Sequence, residues 1–165
     1  MKNILTLTFL IFLAASCNKE AMPNEDQKHK TFRCKVNGET WTPSSSDIFT
    51  VDPFDVNYYF KEDNHLDISA SSSINNQAIE VTSEILETDV ENPIIYYDRV
   101  FRDFNFGSNN CIYFELDTLQ KNYVKILDVD TVNYFIIGEF EYTATNDCGD
   151  RVEITDGYFD VNFTF

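Results

Sequence analysis

Apolar and polar side chains alternate one for one over long stretches of this chain, and a period of two places every second residue on the same face of a β-strand. Ile136, Gly138, Phe140, Tyr142 and Ala144 share one face of such a stretch, with Glu139, Glu141 and Thr143 opposite. Near the end, Phe159, Val161, Phe163 and Phe165 alternate with Asp160, Asn162 and Thr164. The same pattern runs through Phe32, Cys34 and Val36, through Leu66, Ile68 and Ala70, through Ile79, Val81, Ser83 and Ile85, and through Ile112, Phe114 and Leu116. No comparable stretch repeats at the 3.6-residue period of a helix. Fifteen Phe and nine Tyr add to the weight on strands, where flat aromatic rings pack well on a pleated surface.

Turn chemistry divides these strands. Asn37-Gly38 follows the first, and Asp156-Gly157 sits between Ile154 and Tyr158. Both pairs are of the kind that closes a type I′ hairpin. Asp156-Gly157 reads as such a hairpin, so the C-terminal third is expected to be a three-stranded meander. The expected fold is all-β, an antiparallel sandwich or flattened barrel of about eight or nine strands. Two stretches escape the alternation, Thr42–Phe54 with its Pro43 and serine run, and Asn92–Asn110 with Tyr96, Tyr97, Phe101, Phe104 and Phe106. Both read as long connections, where binding residues concentrate. Their aromatics either present rings to a ligand or fold back and plug one end of the β-core.

The first residues have a different character. Lys2, an apolar run over Ile4–Leu13 and the small residues Ala14-Ala15-Ser16 precede Cys17. The run is about half of what a spanning helix requires, and its layout is that of an export signal. It resembles a bacterial lipoprotein signal, which implies cleavage after Ser16 and acylation of Cys17. Several acyl chains, at about 0.8 kcal/mol per buried CH₂, hold such a protein stably on a membrane. Residues 1–16 are therefore expected to be a signal peptide. Residues 17–30, with Ala21 and Met22 as the apolar side chains after Cys17, are expected to form an acylated flexible tether. Residues 31–165 remain for one β-domain, a size that supports its own core.

Phe32-Arg33-Cys34-Lys35-Val36-Asn37-Gly38-Glu39-Thr40-Trp41 resembles the F-x-C-x-V-N-G-x-x-W opening of small Bacteroidetes lipoproteins of unknown function. Ile137–Ala144 and Val152–Val161 are similar to the G-x-F-x-F-x-A and V-x-I-T-x-G-x-F-D-V close of that group. The resemblance implies a lipid-anchored β-domain in the cell envelope, with the outer membrane as its expected location. It carries no activity and transfers no functional residue.

With Cys17 acylated, Cys34, Cys111 and Cys148 are left in an oxidising compartment. Cys34 shares an apolar face with Phe32 and Val36, where a thiol behaves as a small hydrophobe. Cys111 points to the opposite face of its strand and Cys148 lies in the turn Asn146–Asp150. Cys111 and Cys148 are therefore expected to pair while Cys34 stays reduced. No C-x-x-C or other zinc spacing is present.

Twenty-eight acidic residues against twelve Lys and Arg give a formal charge of −16. Nucleic acid, which requires a basic patch, is excluded as a partner by that balance, and contact with the membrane is expected through the lipid on Cys17 alone. The acid reads first as a solvated exterior. A calcium site built from Asp128, Asp130, Asp147 and Asp150 is the alternative, although no EF-hand loop occurs; otherwise no cofactor is expected.

Catalytic constellations are missing from the pattern. His65 is the one histidine within 31–165, and no G-x-S-x-G, phosphate-binding glycine loop or dinucleotide fingerprint appears. The expectation is a non-enzymatic, lipid-anchored binding module. It would recognise a glycan or an envelope partner through Trp41, Tyr96, Tyr97, Phe101 and Phe104. The alternative is a structural or assembly lipoprotein that contacts other envelope proteins.

Overall fold

The computed structural model describes residues 29–45, 53–59, 64–84, 87–95, 99–106 and 111–164. Among these residues the chain is all-β. In chain order the strands are β1 (Lys30–Val36), β2 (Glu39–Trp41), β3 (Phe54–Tyr59), β4 (His65–Ser72), β5 (Gln77–Ser83), β6 (Glu91–Asn92), β7 (Phe101–Asp103), β8 (Tyr113–Leu116), β9 (Tyr123–Asp130), β10 (Phe135–Thr145) and β11 (Arg151–Asn162). Nine of them follow one hydrogen-bonded path, β2-β1-β11-β10-β8-β7-β5-β4-β3, from which β9 and β6 branch at β10. Every paired strand is antiparallel.

The sheet curls on itself, and β8 is the corner: it pairs with β10 through Glu115 and Leu116 and with β7 through Tyr113 and Phe114. The two ends of the curl are stitched by single residues. Thr164 donates its N–H to Val56 O at 3.0 Å and accepts from Tyr58 N at 2.9 Å. Ser44, just beyond β2, donates to Ser71 O and accepts from Ser73 N. The result is a flattened half-barrel, in agreement with the expected architecture.

The alternating sets face inward as their period requires. Leu66, Ile68, Ala70, Ile79 and Val81 meet Phe32, Phe140, Tyr142, Phe159 and Val161 in one core. Each such side chain contributes roughly 1.5–3 kcal/mol on burial. Ile85 and Phe165 lie outside the described residues.

Several local expectations are corrected. Asp156-Gly157 is not a hairpin: β11 runs straight through it, and β11 spends one residue more than β1 and β10 at that point. Asp156 takes a left-handed φ of 51°, the geometry of a β-bulge. The terminal meander exists, but its strands are β9, β10 and β11. The stretch 92–110 is not one connection either, because β7 lies within it. Lys30 belongs to β1, and His29 is held by the domain rather than by a tether. The His29 ring stacks on Phe135 at 3.9 Å and its Nδ1 hydrogen-bonds Asp160 at 2.5 Å. The rest of the expected signal and tether, 1–28, lies outside the described residues.

The strand directions define two ends. β1 starts beside Val161 at the end that also holds His29 and the 131–134 turn, and it finishes beside Ile154 at the other. Six residue steps of about 3.3 Å separate the ends by roughly 20 Å. The Asn37-Gly38 hairpin, the 73–76 turn and the 146–150 turn all gather at the end remote from His29.

Candidate functional site: a polar cleft remote from the amino-terminal entry

The Asn37-Gly38 turn is built as the sequence predicts. Asn37 and Gly38 have φ of 52° and 82°, and Asn37 Oδ1 accepts from Glu153 N at 2.8 Å, which pins the hairpin against β11. Across from it, the β4–β5 turn is ordered by serines. Ser72, 2% exposed, has its hydroxyl 2.9 Å from Ser44 Oγ, and Ser44 Oγ accepts from Ile74 N. Between hairpin and turn lies a cleft of about 410 Å³ lined by Val36, Asn37, Glu39, Thr40, Trp41, Asn75 and Gln77. That volume is within the range of small-ligand sites, roughly 300–1,000 Å³.

Polar groups behind the cleft hold its wall in place. Gln77 Nε2 donates to Asp103 Oδ2 at 2.7 Å, while Asp103 Oδ1 accepts from Asn105 N and Nδ2 at 2.9 and 2.8 Å. Asn105 Nδ2 also donates to Asn75 O, and Phe104 N donates to Asn76 O. The 104–106 turn is thereby locked beside the 73–76 turn, with Phe104 46% exposed next to it. Among the described residues, the side chains of Glu39, Thr40 and Asn75 make no hydrogen bond or ion pair with one another or with their surroundings. Trp41 is 1% exposed, and its indole N–H is buried without an acceptor.

The sequence candidates divide. Trp41 and Phe101 are core residues, 1% and 2% exposed, so neither offers a ring face to a ligand; Trp41 touches the cleft as part of its lining. Phe101 packs edge-on against Phe114, and Phe106 joins the same ring cluster. Phe104 is exposed, while Tyr96 and Tyr97 lie outside the described residues.

Comparison with family models, with curated proteins and with solved structures gives no match.

Cys111 and Cys148 form a disulfide with Cα atoms 5.5 Å apart. Beside it, Asn146 donates to Cys111 O and Asp150 Oδ2 and accepts from Cys148 N and Asp150 N, so the β10–β11 turn is fixed at the cleft end of the domain. Cys34 is free and buried, and burial pushes its thiol up to about 12. An inert core thiol follows.

The four aspartates do not converge. Asp128 pairs with Ile137 near the start of β10, whereas Asp147 and Asp150 lie past its end at Thr145. That separation is on the order of 25 Å of strand. The Asp130 carboxylate accepts from Asn133 N, Asn133 Nδ2 and Val132 N, and these bonds hold it below the usual carboxylate range. It acts as a turn cap. Among the described residues no three His, Cys, Asp or Glu side chains are grouped to hold a metal ion.

Sequence reasoning missed Asn75, Gln77, Asp103 and Asn105. A signal existed in the run Ser71-Ser72-Ser73-Ile74-Asn75-Asn76-Gln77, which is turn-rich and amide-rich at once. Nothing in it tells which amides face a cleft, since that depends on the β1–β2 hairpin more than thirty positions earlier.

Proposed function

We propose that this protein is a lipid-anchored cell-envelope lipoprotein whose domain binds a glycan, without catalysis, in the cleft between the β1–β2 hairpin and the β4–β5 turn. One observation carries the reading: the cleft opens at the end of the half-barrel opposite His29, through which a tether from Cys17 would enter. A domain held by lipid on Cys17 then turns its binding end away from the membrane. Amide and hydroxyl groups such as those of Thr40, Asn75 and Gln77 suit a ligand that both donates and accepts hydrogen bonds. Phe104 stands exposed on the adjoining 104–106 turn, and on this reading its ring stacks on the sugar. A contiguous apolar surface would instead favour an envelope protein as partner; the three most exposed large apolar side chains among the described residues, Ile74, Leu119 and Val132, stand on three different turns, with Phe104 near the first and Tyr134 on the last.

The test has two parts. Cys17→Ala should move the protein from the membrane fraction to the soluble fraction of the envelope; retention in the membrane would overturn the anchoring. The full chain in detergent, melted against a polysaccharide panel, should gain several degrees with one glycan class at about 100 times its dissociation constant. A panel without any shift would overturn glycan binding.

A further inference from the structure

We infer that the cleft selects a neutral, hydroxyl-rich saccharide over its acidic counterparts, and that Glu39 sets this preference. The inference rests on the glycan reading above and adds to it the charge class of the ligand. No Lys or Arg lines the cleft. Cations on the neighbouring strands are engaged elsewhere: Lys35 Nζ lies 2.8 Å from Asp156 Oδ2, and Arg151 lies 3.1 Å from Glu153 Oε1. Glu39 is the carboxylate in the lining, and no described cation pairs with it.

A uronate, sulfate or phosphate entering here would lose part of its hydration beside a like charge, with no counter-ion to receive it. A neutral sugar meets the opposite situation. Its hydroxyls donate to the Glu39 carboxylate and to amide oxygens, and they accept from the amide N–H groups of Asn75 and Asn37. The chain's net charge of −16 repels anions at long range in the same sense. Trp41 is the sole tryptophan of the chain, so its emission reports on the core beneath this cleft.

The experiment titrates the full chain in detergent with neutral oligosaccharides and with acidic oligosaccharides of matched length, following Trp41 emission and melting temperature. The wild type should bind a neutral ligand about tenfold more tightly than its acidic counterpart at low salt. The gap should narrow at about 0.3 M salt, where the Debye length falls to roughly 5–6 Å. Glu39→Gln, a substitution at an exposed strand position, should close most of the gap between the two ligand classes, the ratio of their affinities being the readout. Equal or tighter binding of the acidic ligand, or an unchanged gap in Glu39→Gln, overturns the charge selection and leaves glycan binding standing. A melting shift whose dependence on ligand charge is the same in the wild type and in Glu39→Gln puts the saccharide elsewhere and overturns the inference as well. A panel in which neither readout moves overturns the glycan reading itself.

Discussion

Gly138 of β10 and Phe159 of β11 are cross-strand partners, and the Phe159 ring occupies the space that a side chain at position 138 would need. A Cβ placed on Gly138 would come within 2.9 Å of Phe159 Cε1 and 2.7 Å of the Lys125 carbonyl. The neighbouring pair repeats the arrangement in reverse: Phe140 pairs with Gly157, and its ring lies 2.7 Å from where a Cβ there would sit. Glycine here makes room for aromatic rings laid flat across the strands. Gly138→Ala should destabilise the domain by about 1–3 kcal/mol through overpacking. Phe159→Ala should cost about 3–5 kcal/mol through the cavity it leaves. Because the two faults concern one volume, the double variant should cost clearly less than the sum; urea unfolding of the four proteins measures that coupling. Additive costs would mean that the ring does not depend on the glycine.

The bulge at Asp156 gives a second prediction. A non-glycine residue with φ of 51° is strained, and Asp is among those that tolerate it. Its ion pair with Lys35 is exposed and contributes little. Asp156→Gly should therefore be neutral or stabilising by up to about 1 kcal/mol, and Asp156→Val destabilising, both read from thermal unfolding.

The same residues show how far the sequence is legible. Alternation identifies β1, β4, β5, β10 and β11 because one face of each is buried and the other solvated. It does not identify β9, where Ile126 and Leu127 stand side by side: a register shift against β10 inserts one extra residue there and breaks the period. Asp156-Gly157 deceives for a related reason, since a bulge and a type I′ turn both require a left-handed residue. The cleft is less legible than the fold. Its walls come from two turns brought together by curling of the sheet, and no local pattern encodes that approach. Trp41, a plausible sugar-stacking ring in one dimension, is consumed by the core, where it packs edge-on against Phe32.

The disulfide is expected to be structural. It closes a separation of 37 residues, for which loop entropy gives roughly 3–4 kcal/mol. Replacing Cys111 and Cys148 together by Ala should lower the melting temperature by on the order of 10 °C. Cys34 should fail to react with a thiol reagent until the domain unfolds, because it is 3% exposed. Rapid labelling of Cys34 in the folded protein would contradict its place in the core.

Cys34 also carries a pH signature. Burial raises its thiol from 9.0 to about 12, so the folded state keeps its proton where the unfolded chain has lost it. The unfolded state then binds fewer protons between these values, and stability falls as pH rises. Below pH 9 the site contributes no slope. Above it the decline is on the order of 1 kcal/mol per pH unit. Tyr58 and Tyr142 are shifted upward by burial as well and add to the alkaline loss in both proteins. The informative quantity is therefore the difference in slope between the wild type and Cys34→Ala, measured by urea unfolding from pH 8 to pH 10.5. Parallel slopes would show that the thiol ionises freely in the fold.

The wall of the cleft gives the last prediction. Gln77 is aimed by Asp103, and Asp103 is held by Asn105, so removing the aim should weaken binding without touching the ligand. Asn105→Ala is expected to lower glycan affinity severalfold while shifting the melting temperature by only a few degrees. Phe104→Ala, which removes the exposed ring, should lower affinity by roughly threefold to tenfold and leave stability nearly unchanged. Titration of both variants against the members of a polysaccharide panel distinguishes them. Asn105→Ala should also loosen the discrimination between neutral sugars, because Gln77 is then free to turn. Phe104→Ala should weaken all of them alike, since a ring face is indifferent to the pattern of hydroxyls.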